Sequence, residues 1–324
     1  MVEFVGSEAG IERTLVPREG YTLHALPLAG LAGNPLARAR AAILTLRATI
    51  RCIRIIQRMK PQALLGVGGY ASAPAVLAAR TLGVPTFLHE QNTVPGRFNR
   101  LASRLTKETL VTFPDARQRL KSAAWVGMPT RTEIFGASRG EALRDLGLEP
   151  PVVLIFGGSG GALRINLSAV EAFGTTTPYT VVQVAGRRDF PRLSTHNPRH
   201  RILEYAGDIW RYLAASDVVV SRAGAGSLFD IAAAGRAAIL IPFPYSTGDH
   251  QLQNARYFTE KGAAELMLDS EVGATSLRDR VEELLNDGRR REELARRMGA
   301  LATPHAAAEV ARRLLGATQK EWGS

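Results

Sequence analysis

The stretch from Val218 to Ile241 constrains the fold most. Val218-Val219-Val220 is a β-branched run, and Gly224-Ala225-Gly226-Ser227-Leu228-Phe229-Asp230 is a glycine turn leading into an apolar, alanine-rich segment. Gly235 ends that segment and Ile239-Leu240-Ile241 starts a second apolar run. Strand, glycine turn, helix and strand in immediate succession form the unit from which parallel sheets are built. The glycines let a ligand approach the backbone, and the helix start offers unpaired N–H groups to an anion. Asp230 falls in the first turns of that helix, where its carboxylate can accept from sugar hydroxyls. A tight strand–helix connection without a ligand explains this one loop equally well, so the other loops decide.

The same alternation runs through the whole chain. Strands are expected near 2–5, 21–26, 63–67, 85–88, 110–112 and 124–126, with helices near 35–59, 71–82 and 95–105. After Pro150-Pro151 come strands near 152–156, 180–184, 202–204, 218–220, 238–241 and 265–268, then a helical end. A length of 324 residues suits about two domains. The expected division is 1–133, 134–303 and a last helix, 304–324, returning to the first domain. Gly68-Gly69-Tyr70-Ala71-Ser72, followed by an alanine-rich helix and Pro85-Thr86-Phe87-Leu88, echoes the 224–241 unit. The expected fold class is therefore α/β, with two Rossmann-like parallel-sheet domains facing across a cleft lined by strand ends.

Charge separates the halves. Residues 1–136 carry 18 Lys+Arg against 8 Asp+Glu, whereas the rest carry 23 against 22. A basic half beside a neutral half implies two kinds of partner. Arg40, Arg47, Arg51, Arg54 and Arg58 share one side of the 35–59 helix, next to a broad apolar face that includes Leu46, Ile50, Ile53, Ile56 and Met59. A basic amphipathic helix of this kind lies on anionic membranes. A half-buried helix with solvated arginines would read the same way. Aromatic residues make up 6% and are not interleaved with the basic ones, which argues against a nucleic-acid groove. No apolar run reaches the roughly 18 residues of a membrane span, and Met1 to Gly6 reads as a strand rather than a secretory leader. The single cysteine, Cys52, excludes an internal disulfide framework and suits the cytosol.

Gly157-Gly158-Ser159-Gly160-Gly161 follows a buried strand and opens a helix, which makes it a phosphate cradle. It lacks the spacing of a dinucleotide fingerprint and the lysine of a P-loop, so nucleotide-sugar binding is the better reading and no cofactor is expected. His89-Glu90-Gln91-Asn92 forms a polar loop at a strand's end, where His89 and Glu90 are candidate proton-handling residues. The six histidines show no metal-ligand spacing outside a turn, so no metal is expected. A diphosphate would then be met by helix ends and arginine; Arg131, in Gly127-Met128-Pro129-Thr130-Arg131, is the candidate.

Together these segments resemble the peptidoglycan glycosyltransferases of the MurG family. The resemblance rests on Gly66-Val67-Gly68-Gly69-Tyr70-Ala71-Ser72-Ala73-Pro74, on His89-Glu90-Gln91-Asn92 with Val94-Pro95-Gly96, and on Pro129-Thr130-Arg131. It continues in Gly157-Gly158-Ser159, Ser221-Arg222-Ala223-Gly224-Ala225, Ile231-Ala232-Ala233-Ala234-Gly235 and His250-Gln251 with Asn254-Ala255. It implies a GT-B enzyme that transfers GlcNAc from UDP-GlcNAc to lipid I, giving lipid II, with inversion and without metal. The setting it implies is the cytoplasmic face of the bacterial membrane, held peripherally. Ser159 and Arg131 would contact the UDP diphosphate. Ala225, Gly226, Ser227, Leu228, Phe229 and Asp230 would hold ribose and phosphate, Gln251 and Asn254 the GlcNAc hydroxyls, and backbone near Ala206 the uracil. Asn92 would belong to the acceptor side.

The chain departs from the family at Asp230 for Glu, Gly160 for Gln and Met128 for Asn. The family's opening strand, Gly-Gly-Thr-Gly-Gly-His loop and helix are not found ahead of the first strand here, so a shortened form is expected. Two other readings remain: an isomerase like UDP-GlcNAc 2-epimerase, and a non-catalytic UDP-sugar-binding remnant.

Overall fold

The computed structural model describes residues 1–28, 34–158 and 161–319. The chain divides into two compact units: Met1–Gly127 with the stretch from Ala308 onward, and Met128–Ala307.

The first unit runs β1 (Glu3–Ser7), α1 (Glu12–Arg18), β2 (Thr22–Leu26), α2 (Pro35–Met59), β3 (Leu64–Gly66), α3 (Gly69–Thr81), β4 (Thr86–Glu90), α4 (Arg97–Ala102), β5 (Glu108–Val111) and β6 (Ala123–Trp125). All its ladders are parallel. They form two sheets, β1-β2 and β3-β4-β5-β6, and among the described residues β1 and β3 share no ladder. Helices span the gap instead. Ala48, Cys52 and Ile56 of α2, spaced four apart, pack with Ala75, Ala78 and Ala79 of α3 and with Leu26 of β2. The small alanine side chains let the helices approach closely, and burial lifts the Cys52 thiol to about 11. α1 escapes a periodicity reading because it buries no residue and contains Pro17.

The outer side of α2 differs from the apolar face expected. Ile56 belongs to the core, while Leu36, Ile43, Leu46 and Ile50 are exposed beside Arg40, Arg47, Arg51, Arg54 and Arg58. Among the described residues no helix is long and apolar enough to cross a membrane.

The second unit begins with α5 (Thr132–Phe135) and α6 (Arg139–Leu146), then β7 (Val152–Phe156), α7 (Leu163–Phe173), β8 (Thr180–Val184), β9 (His200–Leu203), α8 (Ile209–Ala215) and β10 (Val218–Ser221). It continues with α9 (Ala225–Ala234), β11 (Ala237–Leu240), α10 (His250–Thr259), β12 (Glu265–Leu266), α11 (Ala274–Asn286) and α12 (Gly288–Gly299). Its six parallel strands lie in the order β12-β11-β10-β7-β8-β9. Counted from β7, this is the order 3-2-1-4-5-6 of the dinucleotide-binding fold. β7 and β10, at its centre, are buried along their whole length and apolar except for Ser221 at the end of β10, as strands covered on both faces are.

A last helix, α13 (Ala306–Gln319), closes the chain. Its Val310 and Leu314 pack with Leu110 and Val126 of the first unit, and Arg313 pairs with Glu108 at 2.6 Å.

Candidate functional site

In an open parallel sheet, ligands bind beyond the C-terminal ends of the strands where the strand order reverses. In the second unit that point lies between β7 and β10, and both strands end in glycine turns. Gly157 admits no side chain: a Cβ there would stand 2.3 Å from the Ala162 Cβ. Gly161 has φ +75°, and a Cβ on it would stand 2.5 Å from Asp189 Oδ2. Ser159 and Gly160 lie outside the described residues. After β10, the first intrahelical bond of α9 runs from Leu228 N–H to Gly224 O at 3.0 Å. The N–H groups of Ala225, Gly226 and Ser227 precede it and face the helix N-terminus, a site suited to an anion.

Asp230 sits one turn further along α9. Burial lifts its carboxyl to about 6, and Arg131 acts in the opposite direction as the nearby cation. The Arg131 guanidinium donates to Gly207 O at 2.7 Å, next to Ala206. Asp230, Arg131 and the 206–207 turn are thus neighbours in the second unit. Leu228 and Phe229, expected at the ribose, send their side chains into the core, where Phe229 meets Phe258 edge to face. They offer a ligand backbone only. Asn254 is 0% exposed and donates to Ala223 O at 3.3 Å, so its amide braces the end of β10 instead of lying open to a sugar. Gln251 remains accessible, and its Oε1 accepts from Phe243 N–H at 3.0 Å.

The sequence reading missed a buried polar chain behind the first glycine turn. His200 Nε2 bonds Gln183 Oε1 at 2.9 Å, Gln183 Nε2 donates to Asn166 Oδ1 at 3.0 Å, and Asn166 Nδ2 donates to Asp189 Oδ2 at 3.0 Å. All four side chains are buried. Arg188, clamped on Asp189, holds that carboxyl below the usual carboxylate range. Burial pushes His200 down to about 4, so its ring is neutral. The oriented donors converge on the carboxylate beside Gly161. A single Gln within an apolar strand was the available sequence signal.

In the first unit, His89 and Glu90 are not in a loop. β4 extends through both, with His89 opposite Leu110 and Glu90 opposite Val111. His89 is buried, which lowers its pKa, and its Nε2 lies 3.3 Å from Gly127 O. The buried Glu90 carboxylate accepts from Asn92 N at 3.0 Å, Gly96 N at 3.0 Å and Asn99 Nδ2 at 2.8 Å. It therefore organises the loop that carries Asn92. Gln91 Nε2 donates to Val67 O at 2.8 Å, tying that loop to the Gly68-Gly69-Tyr70 turn. Gly68 and Gly69 hold φ +90° and +72°, which open the N-terminus of α3. Among the described residues no group of His, Cys, Asp and Glu is placed to hold a metal ion.

A parallel α/β chain with paired glycine turns and an acid–arginine pair beside the switch point has the features of a GT-B glycosyltransferase. Family models narrow this further: the family 28 C-terminal domain matches residues 152–311 and the family 28 N-terminal domain residues 1–111. The chain belongs to glycosyltransferase family 28. It is 64% identical, over 99% of its length and 97% of the relative's, to the UDP-N-acetylglucosamine--N-acetylmuramyl-(pentapeptide) pyrophosphoryl-undecaprenol N-acetylglucosamine transferase of Rubrobacter xylanophilus. Among solved structures it is similar to Acinetobacter baumannii MurG, at 27% identity and TM-score 0.74, covering 98% of this chain and 91% of that one. UDP-GlcNAc 2-epimerase from Neisseria meningitidis shares the fold alone, at 14% identity and TM-score 0.62 over 97% of this chain and 99% of that one.

Proposed function

We propose that the chain transfers GlcNAc from UDP-GlcNAc to the muramoyl sugar of lipid I, with inversion, forming lipid II for peptidoglycan. The observation that carries this reading is the Asp230–Arg131 pair, with Asp230 one turn into α9, in a chain so similar to a transferase of that name. The glycosidic bond from the sugar to UDP breaks as an acceptor hydroxyl forms the new bond from the opposite face and releases its proton to solvent. The leaving diphosphate gains negative charge as this happens. Arg131 and the N–H groups of Ala225, Gly226 and Ser227 lie where fixed donors stabilise that charge. Asp230 accepts from the ribose hydroxyls, Gln251 reads the GlcNAc hydroxyls, and Ala206 offers backbone to uracil. Glu90 shapes the acceptor-side loop that presents Asn92, and His89 supports it from β4.

The arginines and exposed apolar residues of α2 support a peripheral seat on the anionic cytoplasmic leaflet, where lipid I resides. Basic residues near such a surface contribute about 1 kcal/mol each. The test is incubation with UDP-GlcNAc and a lipid I analogue in a chelator. Disaccharide product should form with the analogue, and UDP-GlcNAc alone should remain unchanged. Turnover of UDP-GlcNAc to an epimer without acceptor would refute the transferase reading.

A further inference from the structure

Arg222 is a buried cation that the nucleotide site does not use. It follows β10 directly, and only 7% of the residue is exposed. Its Nη1 donates to Ile241 O and Pro242 O, both at 3.2 Å, and lies 2.7 Å from Asp269 Oδ1. Its guanidinium carbon stands 5.5 Å from the centre of the Phe243 ring. Asp269 is braced in turn by Arg164, which lies 4.0 Å away and donates through Nε to Val272 O. One guanidinium therefore joins the ends of β10 and β11 to the segment after β12. A planar, always-charged fork with a weakly hydrated face suits this position in a way that lysine's point charge does not.

The segment it holds leads to Gln251. Phe243 N–H donates to Gln251 Oε1 at 3.0 Å, and Gln251 N–H donates to Ser246 Oγ at 3.3 Å. Because a backbone N–H must face oxygen, this contact fixes which way the carboxamide points. One lone pair of its oxygen is engaged, and Nε2 is oriented to serve a ligand as a donor. A carboxamide held in one orientation, with Nε2 as donor, selects a sugar whose hydroxyl oxygen stands in line with it, and rejects an epimer that moves that oxygen.

We propose that Arg222 is a positioning residue for donor-sugar selection, locking the Pro242–Phe243 backbone so that Gln251 presents N–H donors to the sugar. The proposal rests on the reading of Gln251 as a GlcNAc contact. The test compares kcat/KM for UDP-GlcNAc with that for its C4-epimeric UDP-sugar, together with the KM for a lipid I analogue and Tm, in full-length variants. Gln251→Ala should lower the discrimination ratio about tenfold or more, as expected for loss of one hydrogen bond in recognition. Arg222→Met and Arg222→Lys should do the same while the acceptor KM stays within twofold, and Arg222→Met added to Gln251→Ala should lower the ratio no further. Asp269→Asn, which keeps the arginine, should fall between Arg222→Met and the unaltered chain. Gln251→Glu keeps an acceptor for Phe243 N–H but removes the donors, so it should lose discrimination without disturbing Arg222. Arg222 variants that keep full discrimination while Gln251→Ala loses it would overturn the latch alone. Full discrimination in Gln251→Ala and Gln251→Glu would overturn the Gln251 reading, and the proposal with it. If Arg222→Met fails to fold, Arg222→Lys and Asp269→Asn carry the same comparison.

Discussion

Asp230→Asn should make the unliganded protein more stable and the donor complex weaker. The carboxyl titrates near 6 in the fold against an ordinary 3.8, because burial disfavours its charge more than Arg131 favours it. A raised acid pKa contributes stability that is fully present below 3.8 and lost as pH rises through about 6. Two units correspond to about 3 kcal/mol, and since the side chain keeps part of its hydration we expect about 1–3 kcal/mol at pH 8. Asparagine keeps the shape and does not titrate, so the variant should gain that amount at pH 8 and lose its advantage by pH 4. In the proposed donor complex the ribose hydroxyls bond the carboxylate, so UDP-GlcNAc affinity should weaken below pH 6 in the unaltered chain only. Losing charge-assisted hydrogen bonds should cost the variant about 1–3 kcal/mol of donor binding. Urea unfolding from pH 4 to 8 and calorimetric titration with UDP-GlcNAc measure both effects. A variant that is no more stable at pH 8, or whose stability difference is the same at every pH, would refute the argument.

The remaining predictions concern other parts of the chain. His200, neutral with a pKa near 4 in the fold against 6.5, should withdraw up to about 3 kcal/mol as pH falls from 6.5 to 4; His200→Gln should lack that slope in urea unfolding, and an identical slope would contradict it. Glu90→Gln should cost about 1–3 kcal/mol, because an amide then faces N–H donors, and it should leave the shape of the kcat–pH profile unchanged; loss of one limb of that profile would point to proton transfer instead. Reversing Arg47, Arg51 and Arg54 to Glu should abolish binding to anionic vesicles. For the unaltered chain that binding should weaken with salt, and binding insensitive to both would remove the electrostatic role of α2. Amides on the outer edges of β1 and β3 should exchange hydrogen faster than those of β7 and β10, because among the described residues the two sheets of the first unit share no ladder.

The fold was largely legible because its signals are local. β7 and β8 fall where their β-branched runs predict, and α2 occupies its whole expected span. α1 was not legible, since a helix that buries nothing has no apolar period. The glycine turns and Asp230 suggested the proposed nucleotide site, because glycine clusters and an acid near a helix start are sequence-local facts. Burial is not local. No spacing shows that His89 and Glu90 lie inside a strand, or that Asn254 faces the core while Gln251 faces outward. The chain through His200, Gln183, Asn166 and Asp189 joins residues from three elements, and only the packed sheet brings them together.

Polar burial in the second unit also divides by position. Away from the ligand edge, buried and half-buried acids have their cations: Asp189 with Arg188 at 2.7 Å and Glu265 with Arg290 at 2.6 Å among the buried ones, Asp217 with Arg139 at 2.9 Å and Asp269 with Arg222 at 2.7 Å among the half-buried. Removing one member of such a pair leaves the other charge uncompensated, which is costly. These pairs therefore hold the strand ends and turns in one arrangement. Asp230 is treated differently. Its carboxyl is desolvated, Arg131 acts on it only through space, and its pKa rises instead of falling. A chain selected for stability alone would have paired or neutralised it. An under-satisfied carboxyl in α9 is what the proposed ribose contact requires, since a ligand that brings hydroxyl donors would then complete its hydrogen bonds. Local destabilisation of this kind belongs at a binding site, where the ligand supplies what the fold withholds.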